Sequence, residues 1–238
     1  MNNNKHIAFS ILVSAAILLV SCGGRKPNYK VSLKTDADSA SYYLGYSIGT
    51  NFPQMDFEDV NINAFAKGLQ EAVKQGKEVD QVKIQELQMF LNDFFMNLQN
   101  RTSEKALKEG QDFLEANKKK QGVVTLPSGV QYKIIREGTG NKPTMDDDAD
   151  LLYHGTLIDG TVFDSSKERG DTVNFPVSGV VPGFSEALTL MTEGSIWEVY
   201  IPAELAYGER SPDPQRMKPN SVLIFEIDMI KVIKQTFE

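Results

Sequence analysis

The chain has 238 residues, of which 41% are hydrophobic, 9% aromatic and 24% charged, an ordinary globular composition that excludes wholesale disorder. Its formal charge of −7 gives no broad attraction to polyphosphate, which argues against nucleic acid as a partner. One cysteine leaves no intrachain disulfide or cysteine-based zinc cluster, and two histidines leave no His-rich metal site, so neither metal nor cofactor is expected.

Residues 1–21 read as an export signal: Lys5 is followed by an apolar run from Ile7 to Val20, shorter than the roughly 20 residues of a comfortable membrane span. Leu19-Val20-Ser21-Cys22 resembles a bacterial lipobox, which makes Cys22 a lipidation site and the new N-terminus. A signal with a chance cysteine after it, or an uncleaved anchor, is the alternative. Cleavage there would leave 24 basic and 32 acidic residues. More than one acyl chain at that terminus would give stable anchoring. Residues 22–35 form a tether, and with no acidic run after Cys22 the expected place is the outer membrane, facing the periplasm.

Residues 36–98 have helical periodicity. Tyr43, Leu44, Ile48 and Phe52 share one stripe, while Ser41, Gly45 and Gly49 leave a smooth strip for close helix approach or else merely a weak helix. Pro53 is expected to stop this helix, Asn61 or Asn63 to cap the next, and Gly76 to end it. The long third helix starts near Asp80, with Ile84, Leu87, Leu91, Phe94 and Leu98 on a heptad seam. Three helices this rich in exposed apolar side chains make a thin core for one copy, so 36–98 is read as a homodimerisation domain. Residues 99–121 read as a connecting helix, a stalk with no apolar face between Gln99 and Lys105 and hence a solvated bridge there, after which Leu107, Phe113 and Leu114 offer a few contacts.

From Gly122 the period changes to two, with strand-like runs at 130–137, 151–158, 172–177, 195–201 and 221–233 and one helical piece at 185–191. The fold class is α+β: an N-terminal helical module, a long connecting helix, and a C-terminal antiparallel sheet (122–238) wrapped around one short helix.

Five motifs occur in order through 122–238: Leu126 to Tyr132 (LPSGVQY), Tyr153 to Ser166 (YHGTLIDGTVFDSS), Val180 to Phe184 (VVPGF), Ile201 to Gly208 (IPAELAYG) and Lys218 to Phe225 (KPNSVLIF). In this register the domain resembles FKBP-type peptidyl-prolyl cis–trans isomerases. With its signal, helical module and stalk, the chain is similar over nearly its whole length to the exported, dimeric macrophage infectivity potentiator-like and FkpA-like branch. The resemblance implies an isomerase that helps exported proteins fold, acting on proline-containing unfolded or extended polypeptides. Macrolides of the FK506/rapamycin type would be inhibitors.

It further implies a pocket walled by Tyr153, Phe163, Phe175 and Phe225, rimmed by Val180 and Val181, and closed above by Met217. Phe184 would be the floor, Tyr207 would offer its hydroxyl to the peptide carbonyl, and Asp164 would be the pocket's carboxylate, hydrogen-bonded to Tyr153. The chain departs from the pattern in two places. Phe184 stands where tryptophan is usual, and loop 209–219 is charged, with Arg216 where an aliphatic residue is common. His154 and Trp197 are read as structural. A periplasmic holdase with weak or no isomerase activity is the competing function. A hydrolase is set aside because the Gly-x-Ser-x-Gly string of this sequence, Gly45 to Gly49, lies inside a helical stretch and not at a strand-to-helix turn, so it makes no nucleophile elbow.

Overall fold

A computed structural model describes residues 31–78 and 80–235; the signal and Cys22 lie outside the described residues. The chain divides into two units, 1–42 and 43–238. In the first, helix α1 (Asp36–Gly49) begins with a reciprocal cap. Asp38 N–H donates to Thr35 Oγ1 (3.1 Å), and Thr35 N–H donates to Asp38 Oδ2 (3.0 Å).

The second unit opens on the end of α1 and the single turn α2 (Asn51–Gln54). Here the expectation is corrected: α1 stops at Gly49, and Pro53 sits inside α2 instead of ending the helix before it. Proline is tolerated in a first turn, where its missing N–H would be unpaired anyway. The chain reverses at Asp56, whose φ is 53°. Asn61, rather than Asn63, caps α3 (Ile62–Gln75) by accepting the Ala64 N–H, and Gly76 (φ 69°) ends it. Asp80 caps α4 (Gln81–Asn117) by accepting the Lys83 N–H. Edge-on phenyl rings join these pieces. Phe52 meets Phe57 and Phe65, both at 5.7 Å, and Phe57 meets Phe94 at 5.1 Å and Phe95 at 6.1 Å.

The second half of α4 is helical, as its sequence allows: residues 99–105, read as a solvated bridge, are exposed apart from half-buried Thr102 and Ser103, and most of the contact with the sheet domain lies beyond them. Ala106, Gly110 and Asn117 are buried against the sheet domain. A Cβ at Gly110 would lie 2.7 Å from Val222 Cγ2, so only glycine permits this approach. Asn117 Nδ2 donates to Gln131 Oε1 (2.9 Å), Gln131 Nε2 to the Leu114 carbonyl (2.9 Å), and Asn220 Nδ2 to Ser103 Oγ (2.8 Å). Phe113 adds a ring contact with Tyr200 of the sheet domain at 6.0 Å, and the remaining partners are small and amide side chains that no apolar stripe announces.

The sheet domain runs β1 (Val123–Thr125), β2 (Gln131–Arg136), β3 (Asp148–Thr156), β4 (Val162–Ser165), α5 (Ser166–Arg169), β5 (Val173–Pro176), α6 (Pro182–Leu190), β6 (Ile196–Ile201) and β7 (Leu223–Ile233). All pairings are antiparallel, in the order β1-β2-β6-β7-β3-β4, with β5 also on β3. β3 therefore has β7 along one edge and shares the other between β5 at its start and β4 at its end. Strict alternation on β3 buries Ala149, Leu151 and Tyr153 on one face. That face packs with Val199, Ile201, Leu223, Phe225 and Ile227 against Phe184, Ala187 and Leu188 of α6. The one-turn helix α5 is additional to the single helix expected: Ser165 caps it, accepting the Glu168 N–H, and Gly170 (φ 74°) ends it.

Candidate active site

A cavity of about 580 Å³ opens where the ends of β3, β4 and β7 meet the first turn of α6 and the loop after Tyr207. Tyr153, Phe163, Asp164, Phe175, Val180, Val181, Phe184, Tyr207, Met217 and Phe225 all line it, so the structure brings together every pocket residue singled out in the sequence. Gly179, Pro212 and Asp213 also line it and were not foreseen. Arg216 does not; it faces a separate groove beside Ala106 and Lys218.

The floor follows from local geometry. Pro182 occupies N1 of α6, where its fixed φ suits a helix start. Gly183 lets that turn lie on β6, since a Cβ there would come within 2.4 Å of Ile201 Cγ2. Phe184 is thereby sunk into the domain at 4% exposure and set edge-on to Phe225 at 4.8 Å. Phe225 also meets Phe163 edge-on at 5.4 Å. Gly155 makes that possible: a Cβ there would be 2.7 Å from Phe163 Cζ and 2.9 Å from Phe225 Cε1. Tyr153 closes the aromatic wall, 5.8 Å from Phe175 and 6.2 Å from Phe225.

Three polar groups define one edge. The Tyr153 hydroxyl donates to Asp164 Oδ2 (2.5 Å), and Arg169 donates through Nη1 to Asp164 Oδ1 (2.6 Å) and through Nη2 to the Tyr153 oxygen (3.2 Å). Burial works to raise the Asp164 carboxyl, but the Tyr153 hydroxyl and Arg169 outweigh it and hold it below the usual carboxylate range. Burial, reinforced by Asp164, pushes the Tyr153 phenol above its ordinary value. Arg169 is the residue that sequence reasoning missed. It sits at the end of α5, whose Ser165 cap and Gly170 stop are the only local signals for it.

Two further donors line the cavity, Tyr207 and Val181. Tyr207 is 40% exposed, and its hydroxyl has no partner among the described residues. Burial and the nearby Asp164 charge push its phenol upward, so it stays a neutral donor. Val181 is the N-cap of α6; its carbonyl accepts the Phe184 and Ser185 N–H groups, and its own N–H has no acceptor among the described residues. Met217, 3% exposed, is held by its N–H donating to the Asp213 carbonyl (2.8 Å). His154 lies on the other face of β3 with Nδ1 2.9 Å from Ser165 Oγ, and Trp197 stacks on Tyr132 at 4.3 Å. Neither lines the cavity.

An apolar cup edged by neutral donors and two carboxylates, Asp164 beside Tyr153 and Asp213 on the loop after Tyr207, suits the binding and desolvation of a polar planar group. The comparisons agree. Residues 37–134 match the domain amino-terminal to FKBP-type peptidyl-prolyl isomerase, and residues 139–230 match FKBP-type peptidyl-prolyl cis–trans isomerase. The chain is 44% identical to the outer membrane protein MIP of Legionella longbeachae, over 94% of this chain and 97% of that one. It is 40% identical to the peptidyl-prolyl cis–trans isomerase Mip of Coxiella burnetii, over 85% and 90%. The crystal structure of FkpA from Escherichia coli superposes with a TM-score of 0.68 at 27% identity, covering 85% of this chain and 99% of that one. With both domains matched in order and relatives similar over most of their length, the chain belongs to the FKBP-type peptidyl-prolyl cis–trans isomerases.

Proposed function

We propose that this isomerase turns X–Pro bonds in the cavity floored by Phe184, without covalent chemistry, as a lipid-anchored homodimer that assists folding of exported proteins. Rotation must break C–N double-bond character against a barrier of about 18–20 kcal/mol. The planar amide is more polar than the twisted one, so an apolar cup penalises the ground state more than the transition state. A ten-thousandfold acceleration needs about 5.5 kcal/mol. Partial desolvation at roughly 1–3 kcal/mol, two hydrogen bonds at about 1 kcal/mol each and burial of the proline ring reach that. Phe184 takes the ring, Tyr207 and the Val181 N–H donate to substrate carbonyls, and Asp164, fixed by Tyr153 and Arg169, faces the twisting amide. The observation that carries this reading is the cup itself, six aromatic rings around a cavity whose polar side chains are few.

The dimer rests on the helical module. No residue of α1, α2 or α3 is buried, and Ile84, Leu87 and Leu91 of the seam stay 39–48% exposed. A monomer rarely shows so continuous an apolar surface. Residues 36–98 are accordingly assigned to dimerisation and 122–238 to catalysis. For the anchor, Cys22 supplies the lipidation site, and the Legionella relative's name as an outer membrane protein supports envelope placement. Light scattering of the chain from residue 23 onward should give twice the chain mass at micromolar concentration, and Leu87→Glu with Leu91→Glu should halve it. A strict monomer in the unaltered chain would refute the dimer while leaving turnover to be measured on its own.

A further inference from the structure

Among the residues lining the cavity are two carboxylates, Asp164 and Asp213, and no lysine, arginine or histidine. Each carboxylate has a cation behind it: Arg169 at 2.6 Å from Asp164, and Arg216 at 3.6 Å from Asp213. Neither cation lines the cavity, and Arg216 faces the neighbouring groove, so the negative ends point in and the positive ends point away. Asp164 is committed to Tyr153 and Arg169. Asp213 is held by Gln215 N–H on Oδ1 (3.1 Å), and its contact with Arg216 joins two largely exposed side chains, which screens it strongly.

Charge across the whole chain runs the same way. Residues 22–121 carry 14 basic and 14 acidic residues and are neutral, whereas 122–238 carry 10 basic and 18 acidic, a net −8. The entire net charge of the exported chain thus sits on the domain with the cavity, which favours the approach of cations to that domain over anions.

We propose that Asp213 is a specificity-determining residue that makes this isomerase prefer proline bonds in basic segments, with lysine or arginine beside the proline. This rests on the cavity being the isomerase site. Asp213 acts at the rim on the neighbouring side chain of the substrate, apart from the twisting amide itself.

The test compares three peptides, Ala-Lys-Pro-Phe, Ala-Leu-Pro-Phe and Ala-Glu-Pro-Phe, by magnetisation-exchange NMR, which needs no coupling protease, on the full-length protein in detergent. At low salt the Lys peptide should exceed the Glu peptide in kcat/KM by about fivefold or more, and 0.5 M salt should pull the ratio toward one. Asp213→Asn should lower the ratio by at least half, and Asp213→Lys should bring it to one or below. A Lys-to-Glu ratio that is insensitive to both substitutions would overturn the proposal even if all three peptides turn over. No acceleration of any peptide, the Leu peptide included, would instead overturn the isomerase site, and this inference with it.

Discussion

Phe184→Ala should lower kcat/KM for an X–Pro peptide about a hundredfold, equivalent to about 2.7 kcal/mol of transition-state stabilisation. Phe184 is 4% exposed and edge-on to both Phe225 and Tyr153, so its removal takes away the surface on which the proline ring lies and loosens two walls together. Emptying the position also costs stability, about 3–5 kcal/mol for a buried phenylalanine cut to alanine. Phe184→Leu separates the two effects: it restores most of the volume and stability but not the flat face, and should remain well below the parent in turnover. Phe184→Trp should keep peptide turnover within about threefold and bind an FK506-type macrolide more tightly, because the larger ring covers more apolar surface. Thermal melts alongside progress curves supply both readouts. A Leu variant with full activity would remove the ring from the mechanism.

Asp164→Asn should cost about tenfold in kcat/KM with a stability change below about 1 kcal/mol, since the Asp164–Arg169 pair is nearly half exposed and such pairs contribute little to folding. The amide keeps the shape of the carboxylate but loses its charge. Arg169→Ala should lose a similar factor while leaving Asp164 in place, because Arg169 acts by holding Asp164 and Tyr153 in register. If both residues act through one arrangement, the double variant will fall little below either single variant. Fully multiplicative losses would show two independent roles, and no loss in Asp164→Asn would leave desolvation and the two donors as the whole mechanism.

The aromatic walls were legible because they obey alternation. Tyr153 lies on the same face of β3 as Ala149 and Leu151, and Phe225 on the same face of β7 as Leu223 and Ile227, so period two alone turns them inward. Family motifs supplied what periodicity could not, namely that these rings surround a cavity instead of filling it. Arg169 escaped because α5 is one turn long and has no period to detect; its guanidinium reaches Asp164 only once Ser165 has started that turn and Gly170 has ended it. The contact of α4 with the sheet domain was legible at Phe113, which meets Tyr200, and escaped elsewhere for a related reason. Ala106 and Gly110, four residues apart, carry almost no apolar signal, yet both are buried, and the missing side chain of Gly110 is what admits Val222. Pro53 misled because its position in a first turn removes the penalty that would make it a helix stop. Apolar pattern thus reported large buried side chains well, and missed contacts made by small residues and single turns.

The central claim is that the cup lowers the barrier by preferring a twisted amide, with no proton moved. Its most direct test is kcat/KM for one X–Pro peptide from pH 5 to 9, by magnetisation-exchange NMR in H₂O and in D₂O. Asp164 is held below the ordinary carboxylate value of about 4, so its ionised form and the stability it contributes are present above that value and lost only as pH falls through the lower folded one. Tyr153 and Tyr207 are raised above their ordinary value of about 10, so they remain protonated throughout the window. The account therefore predicts a profile flat to within about twofold and a solvent isotope ratio near one. A bell or a step within that window, with a ratio of about two or more, would contradict it by showing a proton in flight.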